Sequence, residues 1–137
     1  MPKKSKAYVL DSWAVIAYLE DEPSANRIAD LIATANEEVI PIYMSVVNVG
    51  EVWYTIAREI SEAEADNSIK ELRDLRIQFS DVDWELTKEA ARLKAKHKMS
   101  YADCFAAGLA KSKRAVLLTG DEEFKALEDE VIVHWMA

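Results

Sequence analysis

The sequence predicts an α/β fold built on a mainly parallel sheet with helices on both faces. Short apolar, β-branched segments alternate with amphipathic helical ones along the whole chain, and most of the strands end where a Ser or an Asp stands ready to start a helix. With 3 Gly and 3 Pro in 137 residues, and no Ser-rich, repeated or low-complexity stretch, nothing reads as a linker. Hydrophobic residues make up 50% of the chain. That is enough for one core at a length where folding buries roughly two-thirds of the unfolded surface. One domain over residues 1–137 is expected.

Each element has a local reason. Ala7–Leu10 reads as a buried strand that delivers Asp11 at its end, with Ser12 as the cap of a helix over Trp13–Leu19. A second helix follows Pro23-Ser24, with Ile28, Leu31 and Ile32 on one face. Val39–Met44 is the second strand, and Ser45 caps a long helix to about Ile60. Ser61-Glu62-Ala63-Glu64 has the form of a capping box and opens a helix to about Leu75. Ile77–Val82 is the third strand, and Trp84 to about His97 is helical. Ser100 starts an Ala-rich helix to about Lys113; Ala115–Thr119 and Val131–Trp135 are the last strands, with a short helix between them after Gly120-Asp121.

The N-terminal Met1-Pro2-Lys3-Lys4-Ser5-Lys6 is basic like the start of a secretion signal, but Asp11 cuts short the apolar run behind it and no small-residue cleavage site follows. No apolar run approaches the roughly 20 residues needed to span a bilayer. The lone Cys104 excludes an intrachain disulfide and accords with a reducing compartment. A cytoplasmic protein without a membrane partner is the expectation.

The net charge of −8 argues against a phosphate-binding surface at first sight, but it is unevenly spread. Residues 84–114 hold 8 bases (Lys88, Arg92, Lys94, Lys96, Lys98, Lys111, Lys113, Arg114) against 3 acids (Glu85, Glu89, Asp103), a local 8 − 3 = +5. Any one of these lysines reads most simply as part of a solvated helix face. Together they can form a rim that guides phosphate, with Lys94, Lys96 and Lys98 as the candidate contacts to a nucleic-acid backbone.

Four acids stand out by position. Asp11 follows the first strand, Asp121 follows the fourth, Asp103 lies in the first turn of a helix, and Glu51 sits two turns into its helix among Val47, Val52 and Ile56. Singly, each has a plain explanation: a helix cap, a turn residue, a carboxylate drawn to a helix dipole, a surface glutamate. Brought to one cleft they repel, and a cation relieves that repulsion. Carboxylates without clustered His or Cys suit Mg²⁺ or Mn²⁺, and such a site suits phosphodiester hydrolysis. His97 and His134 lack metal-ligand spacing and read as packing or solvent residues. Cys104 reads as a small buried side chain. Trp13, Trp53, Tyr54, Trp84 and Trp135 can stack bases or pack in a core or dimer interface, with Trp53 and Tyr54 the foremost interface candidates.

Four stretches carry a resemblance: Tyr8–Ser12 (YVLDS), Ser45–Val52 (SVVNVGEV), Met99–Ala107 (MSYADCFAA) and Leu117–Phe124 (LLTGDEEF). In this order they resemble the PIN-domain nucleases, and among those the VapC-type toxins of prokaryotic toxin–antitoxin pairs. The resemblance spans nearly the whole chain. It implies a three-layer α/β/α domain with a five-stranded, mainly parallel sheet, and a catalytic and metal site of Asp11, Glu51, Asp103 and Asp121. It further implies support from Ser12 and Thr119, a nearby carboxylate at Glu122, and Mg²⁺- or Mn²⁺-dependent cleavage of RNA such as tRNA or rRNA. A cognate antitoxin and a homodimer belong to the same expectation. The alternatives are a PIN-like module that binds RNA or protein without cleaving, and a phosphotransfer domain of receiver or haloacid-dehalogenase type. The second needs further acids beside the first Asp, where this chain has Ser12 and Trp13.

Overall fold

Period-two burial along the strands divides the hydrophobic side chains into two layers, one on each side of a single sheet. The computed structural model describes residues 6–137; the basic stretch 1–5 lies outside the described residues. The strands are β1 (Tyr8–Leu10), β2 (Ile42–Ser45), β3 (Ile77–Ser80), β4 (Val116–Thr119) and β5 (Val133–Trp135). They lie in the order β3-β2-β1-β4-β5, and every pairing is parallel. Leu10, Ile42, Met44 and Leu118 face a layer made by α1 (Ser12–Leu19), α2 (Ala25–Glu37), α3 (Val46–Glu59) and α4 (Glu62–Asp74). Val9 and Leu117 face the other layer, made by α5 (Trp84–Lys96), α6 (Tyr101–Lys113) and the 3-10 helix Glu122–Leu127. This is the three-layer α/β/α arrangement.

Local chemistry explains where the helices start. Ser45, Ser61 and Ser100 each accept a hydrogen bond from a backbone N–H of the turn they cap. The cap of α1 corrects the sequence expectation: Asp11, not Ser12, fills it, its Oδ1 accepting from Ala14 N at 2.9 Å. Ser12 becomes the first helical residue and its hydroxyl is free to reach elsewhere. α6 is buried without a break from Asp103 to Ala110, because Ala106, Ala107, Gly108 and Ala110 are small enough to let it sit between the sheet and α5.

All five strands are shorter than expected, β1 and β4 by one residue and β2, β3 and β5 by two. β3 ends at Ser80, and Val82 beyond it is about one-third exposed, at 37%. β2 begins at Ile42 rather than Val39, because α2 closes with the hydrogen bonds Ile40 N to Ala35 O (2.8 Å) and Val39 N to Asn36 O (3.3 Å). That pair is a Schellman motif, whose left-handed position glycine normally fills. Here it is Val39, at φ 59° and 84% exposed. A β-branched side chain in that region is strained by about 1–2 kcal/mol and gains nothing from burial.

Replacing Val39 by Gly removes the strain at the cost of some unfolded-chain entropy, so Val39→Gly is expected to stabilise by about 1 kcal/mol. Thermal melts should show a midpoint raised by about 2–5 °C. A lowered midpoint contradicts this account of how α2 ends.

Candidate active site

Strand order and register decide where the acids meet. The chain leaves β1 towards β2 and β3, then returns to the other side of β1 as β4, so the winding reverses between β1 and β4. Parallel sheets open a crevice at such a point, beyond the C-terminal ends of the strands. The register pairs Leu10 with Leu118 and so sets Asp11, the next residue, beside Thr119. The Thr119 hydroxyl donates to Asp11 Oδ2 and, on its other side, accepts from Asp121 N at 3.0 Å. One buried threonine thereby links the acids that follow β1 and β4.

Glu51 reaches the same place along α3. Its Oε1 accepts from the Ser12 hydroxyl at 2.7 Å and from Asn48 Nδ2 at 3.4 Å. Asp103 arrives from the first turn of α6, its backbone N–H donating to Ser100 Oγ at 3.1 Å. A cavity of about 390 Å³ opens over these groups, and its lining includes Ser12, Trp13, Glu51, Ser100, Asp103 and Asp121. Asp11 is 1% exposed, a carboxylate set behind that lining.

The electrostatics follow from burial and crowding. Burial pushes the Asp11 carboxyl up to about 7, against hydrogen bonds from Thr119 and Ala14 that favour the charged form, with the charges of Asp103 and Asp121 adding to the rise. Asp103 is also pushed up to about 7, by burial first and then by Asp121, with Ser100 opposing and Glu51 and Glu123 reinforcing. Oxygens of Asp103, Asp121 and Glu123 lie within 4.8 Å of one another. Two full charges at that distance repel by about 3.5 kcal/mol at an effective dielectric near 20. Among the described residues, none of Asp11, Glu51, Asp103, Asp121 or Glu123 has a Lys, Arg or His as an ion-pair partner. The donor set is all oxygen, strongly negative and uncompensated, which fits a hard divalent cation.

Sequence comparison places the chain. The model of the PIN domain family matches residues 8–130. The chain belongs to the PIN-domain family. No curated protein sequence matches it. Solved structures share the fold of this PIN domain at low identity. VapBC2 from Rickettsia felis, bound to a DNA fragment from its promoter, superposes with a TM-score of 0.75 at 18% identity, covering 96% of this chain and 99% of that one. DNA-bound VapBC from Salmonella typhimurium gives 0.75 at 13% over the same shares. Mycobacterium tuberculosis VapC20, described as a toxin that cleaves the sarcin–ricin loop, gives 0.71 at 14%, covering 88% and 94%.

The structure of the PIN domain sorts the other sequence candidates. Glu123 rather than Glu122 joins the group with Asp103 and Asp121, because Asp121 caps the 3-10 helix through Glu123 N at 2.9 Å. An acid two residues beyond a capping Asp was the signal available for it. Asn48, inside the Ser45–Val52 stretch, carries no sequence signal for a role, yet its buried amide contacts Glu51. Gly120 reads from sequence as a turn residue; in the fold, a Cβ there would come within 2.2 Å of the Trp13 ring, so the glycine makes room for an aromatic wall of the cleft. His97 bonds Glu130 at 3.2 Å and Cys104 is fully buried. Trp53 donates to Asp66 at 2.9 Å, while Tyr54 is 45% exposed under Arg58.

The basic run is divided by the geometry. Arg92 pairs with Glu89, and Lys111 with Glu89 and Glu130. Lys113, at the far end of α6 from Asp103, lies over the Tyr43 ring. Lys94, Lys96 and Lys98 stand where α5 ends and α6 begins, at the end of the hairpin that carries Asp103, and Lys94 Nζ donates to Met99 O at 2.6 Å.

The raised carboxyls make a stability prediction. In the metal-free fold, Asp11 and Asp103 hold protons to about 7, whereas the unfolded chain releases them near 4. The folded state therefore binds more protons between those values, and this contribution to stability, full below about pH 4, is lost as pH rises through 7. Melts in EDTA should show Asp11→Asn gaining on the wild type from pH 5 to pH 8. Parallel pH profiles for the two proteins rule out a strained Asp11 carboxylate.

Proposed function

We propose that this PIN domain, folding as one domain over residues 1–137, is a cytoplasmic Mg²⁺- or Mn²⁺-dependent endoribonuclease, the toxin of a toxin–antitoxin pair. The observation that carries the reading is the mutual coupling of Asp11, Asp103, Asp121 and Glu51 at one cleft, with two of them pushed up to about 7 and, among the described residues, no Lys, Arg or His paired with any of them. Asp11, Glu51, Asp103 and Asp121 would hold the ion, with Glu123 as a further oxygen donor and Glu122 exposed next to it. When bound, the cation supplies Lewis acidity and neutralises the charge that develops in an in-line phosphodiester displacement.

The chain's own residues supply position. Thr119 and the N–H of Ala14 fix both oxygens of Asp11. Ser12 fixes Oε1 of Glu51, leaving Oε2 as the oxygen able to orient an attacking water. RNA as substrate, structured RNA such as tRNA or rRNA in particular, is supported by the family and by the described activity of the VapC20 neighbour. Lys94, Lys96 and Lys98 would hold its backbone beside Asp103. Neighbours solved as toxin–antitoxin complexes support a cognate antitoxin, and exposed Tyr54 and Ile60 on the α3 side suit a homodimer contact. No helix among the described residues is long and apolar enough to cross a membrane.

Asp11→Asn and Asp103→Asn keep side-chain shape and remove charge. Each should lower Mg²⁺-dependent RNA cleavage by roughly a thousandfold, several kcal/mol of transition-state stabilisation, without loss of fold. Sequencing new RNA 5′ ends after expression of the wild type and Asp11→Asn reads activity and substrate together; wild-type turnover in both variants ends the proposal.

Replacing Lys94, Lys96 and Lys98 with Ala should weaken RNA binding and reduce the slope of log Kd against log salt by about 2 to 3. An unchanged slope removes these lysines from the RNA path.

A further inference from the structure

Asn48 lies in the first turn of α3, is wholly buried, and touches both acid-bearing helices. Its Nδ2 stands 3.1 Å from the carbonyl of Ala102, the residue before Asp103, and 3.4 Å from Glu51 Oε1. α3 and α6 cover opposite faces of the sheet, so this amide joins them just past the strand ends, where the acids converge. Its own Oδ1 has no hydrogen-bond partner. A buried oxygen without a donor disfavours the folded state, and a leucine would fill the same space without one. The bonds its Nδ2 donates stabilise by an amount similar to what the orphan oxygen costs, so the net stability gained is too small to be the amide's main contribution here.

The geometry points to Asn48 as a positioning residue that holds Glu51 in register with Asp103, a role that rests on the nuclease reading above. Two neutral donors, Ser12 Oγ and Asn48 Nδ2, share Oε1 of Glu51. The shared carbonyl of Ala102 ties that arrangement to the turn bearing Asp103. An aspartate at 48 would supply no donor and would set one more negative charge against Glu51. Groups that orient a metal-binding carboxylate typically change metal affinity or activity by about 10–100-fold when removed.

The test is a cycle of Asn48→Leu, Glu51→Gln and the double variant, with Mn²⁺ affinity by calorimetry, kcat and KM on RNA, and thermal midpoint. Asn48→Leu is expected to weaken Mn²⁺ at least about tenfold and to lower kcat with little change in KM, while its midpoint stays within a few degrees of the wild type's, the lost donor bonds and the removed orphan oxygen offsetting each other. In the Glu51→Gln background it should add almost nothing, since the group it orients is gone. If Asn48→Leu does not fold, Asn48→Ala carries the same cycle. Full additivity with Glu51→Gln, or wild-type affinity for Mn²⁺ in the Asn48 variant, overturns the positioning role and leaves the nuclease reading intact. A wild type that binds Mn²⁺ without cutting RNA overturns the nuclease reading, while the affinity cycle still decides on Asn48. A wild type that does neither overturns both.

Discussion

Like charges forced together at the end of a parallel sheet are the constraint to which the rest of this fold answers. Carboxylate oxygens of Asp103, Asp121 and Glu123 within 4.8 Å of each other, with Asp11 buried behind them, are a costly thing for a 137-residue protein to maintain. A single pair at that distance is opposed by about 3.5 kcal/mol, against a typical net stability of about 5–15 kcal/mol for a whole domain. The two apolar layers must therefore be good enough to hold the acids where solvent alone would scatter them. The continuous burial of α6 from Asp103 to Ala110 does so directly, because the helix that carries an acid is itself anchored in the core.

The scaffold lowers the cost with neutral donors. Thr119, Ser12, Asn48 and the backbone N–H of Ala14 each place a hydrogen against a carboxylate oxygen, and each favours the ionised form. None brings a positive charge of its own. A lysine or arginine would quench the repulsion more fully, but it would also occupy the space and neutralise the charge that a divalent ion needs. The orphaned oxygen of Asn48 belongs to the same economy: an unsatisfied buried acceptor costs about 1–3 kcal/mol, accepted for the sake of a donor at Glu51.

Much of this was legible in the sequence because it follows from local rules. A short apolar run that ends in Asp-Ser, a Ser before an apolar helix and a Gly-Asp after Leu-Leu-Thr place three strand ends and their acids without tertiary information. What was not legible depends on contacts between distant segments. Ser12 looked like a cap, because a serine beside a strand end usually is one; only the fold shows Asp11 taking that place and releasing Ser12 to Glu51, 39 residues away. Glu122 and Glu123 cannot be told apart until the 3-10 helix fixes their phase. Val39 looked like strand because it is β-branched, yet the closing bonds of α2 override that propensity. Gly120 reads as a turn until Trp13 is seen to lie against it.

Helix dipoles do not balance the acids, and their size decides it. α1, α3 and α6 all begin at the carboxylate end of the sheet, so their positive ends lie on the right side. Each such end is equivalent to roughly half an elementary charge, so three supply about +1.5. Asp11, Glu51, Asp103, Asp121 and Glu123 carry −5 between them when fully ionised. The shortfall is about −3.5, and protons can meet part of it only where Asp11 and Asp103 remain protonated, up to about pH 7. Above that pH the remaining charge exceeds what the described residues offset, and a small divalent cation with oxygen ligands has the charge and hardness that would meet it.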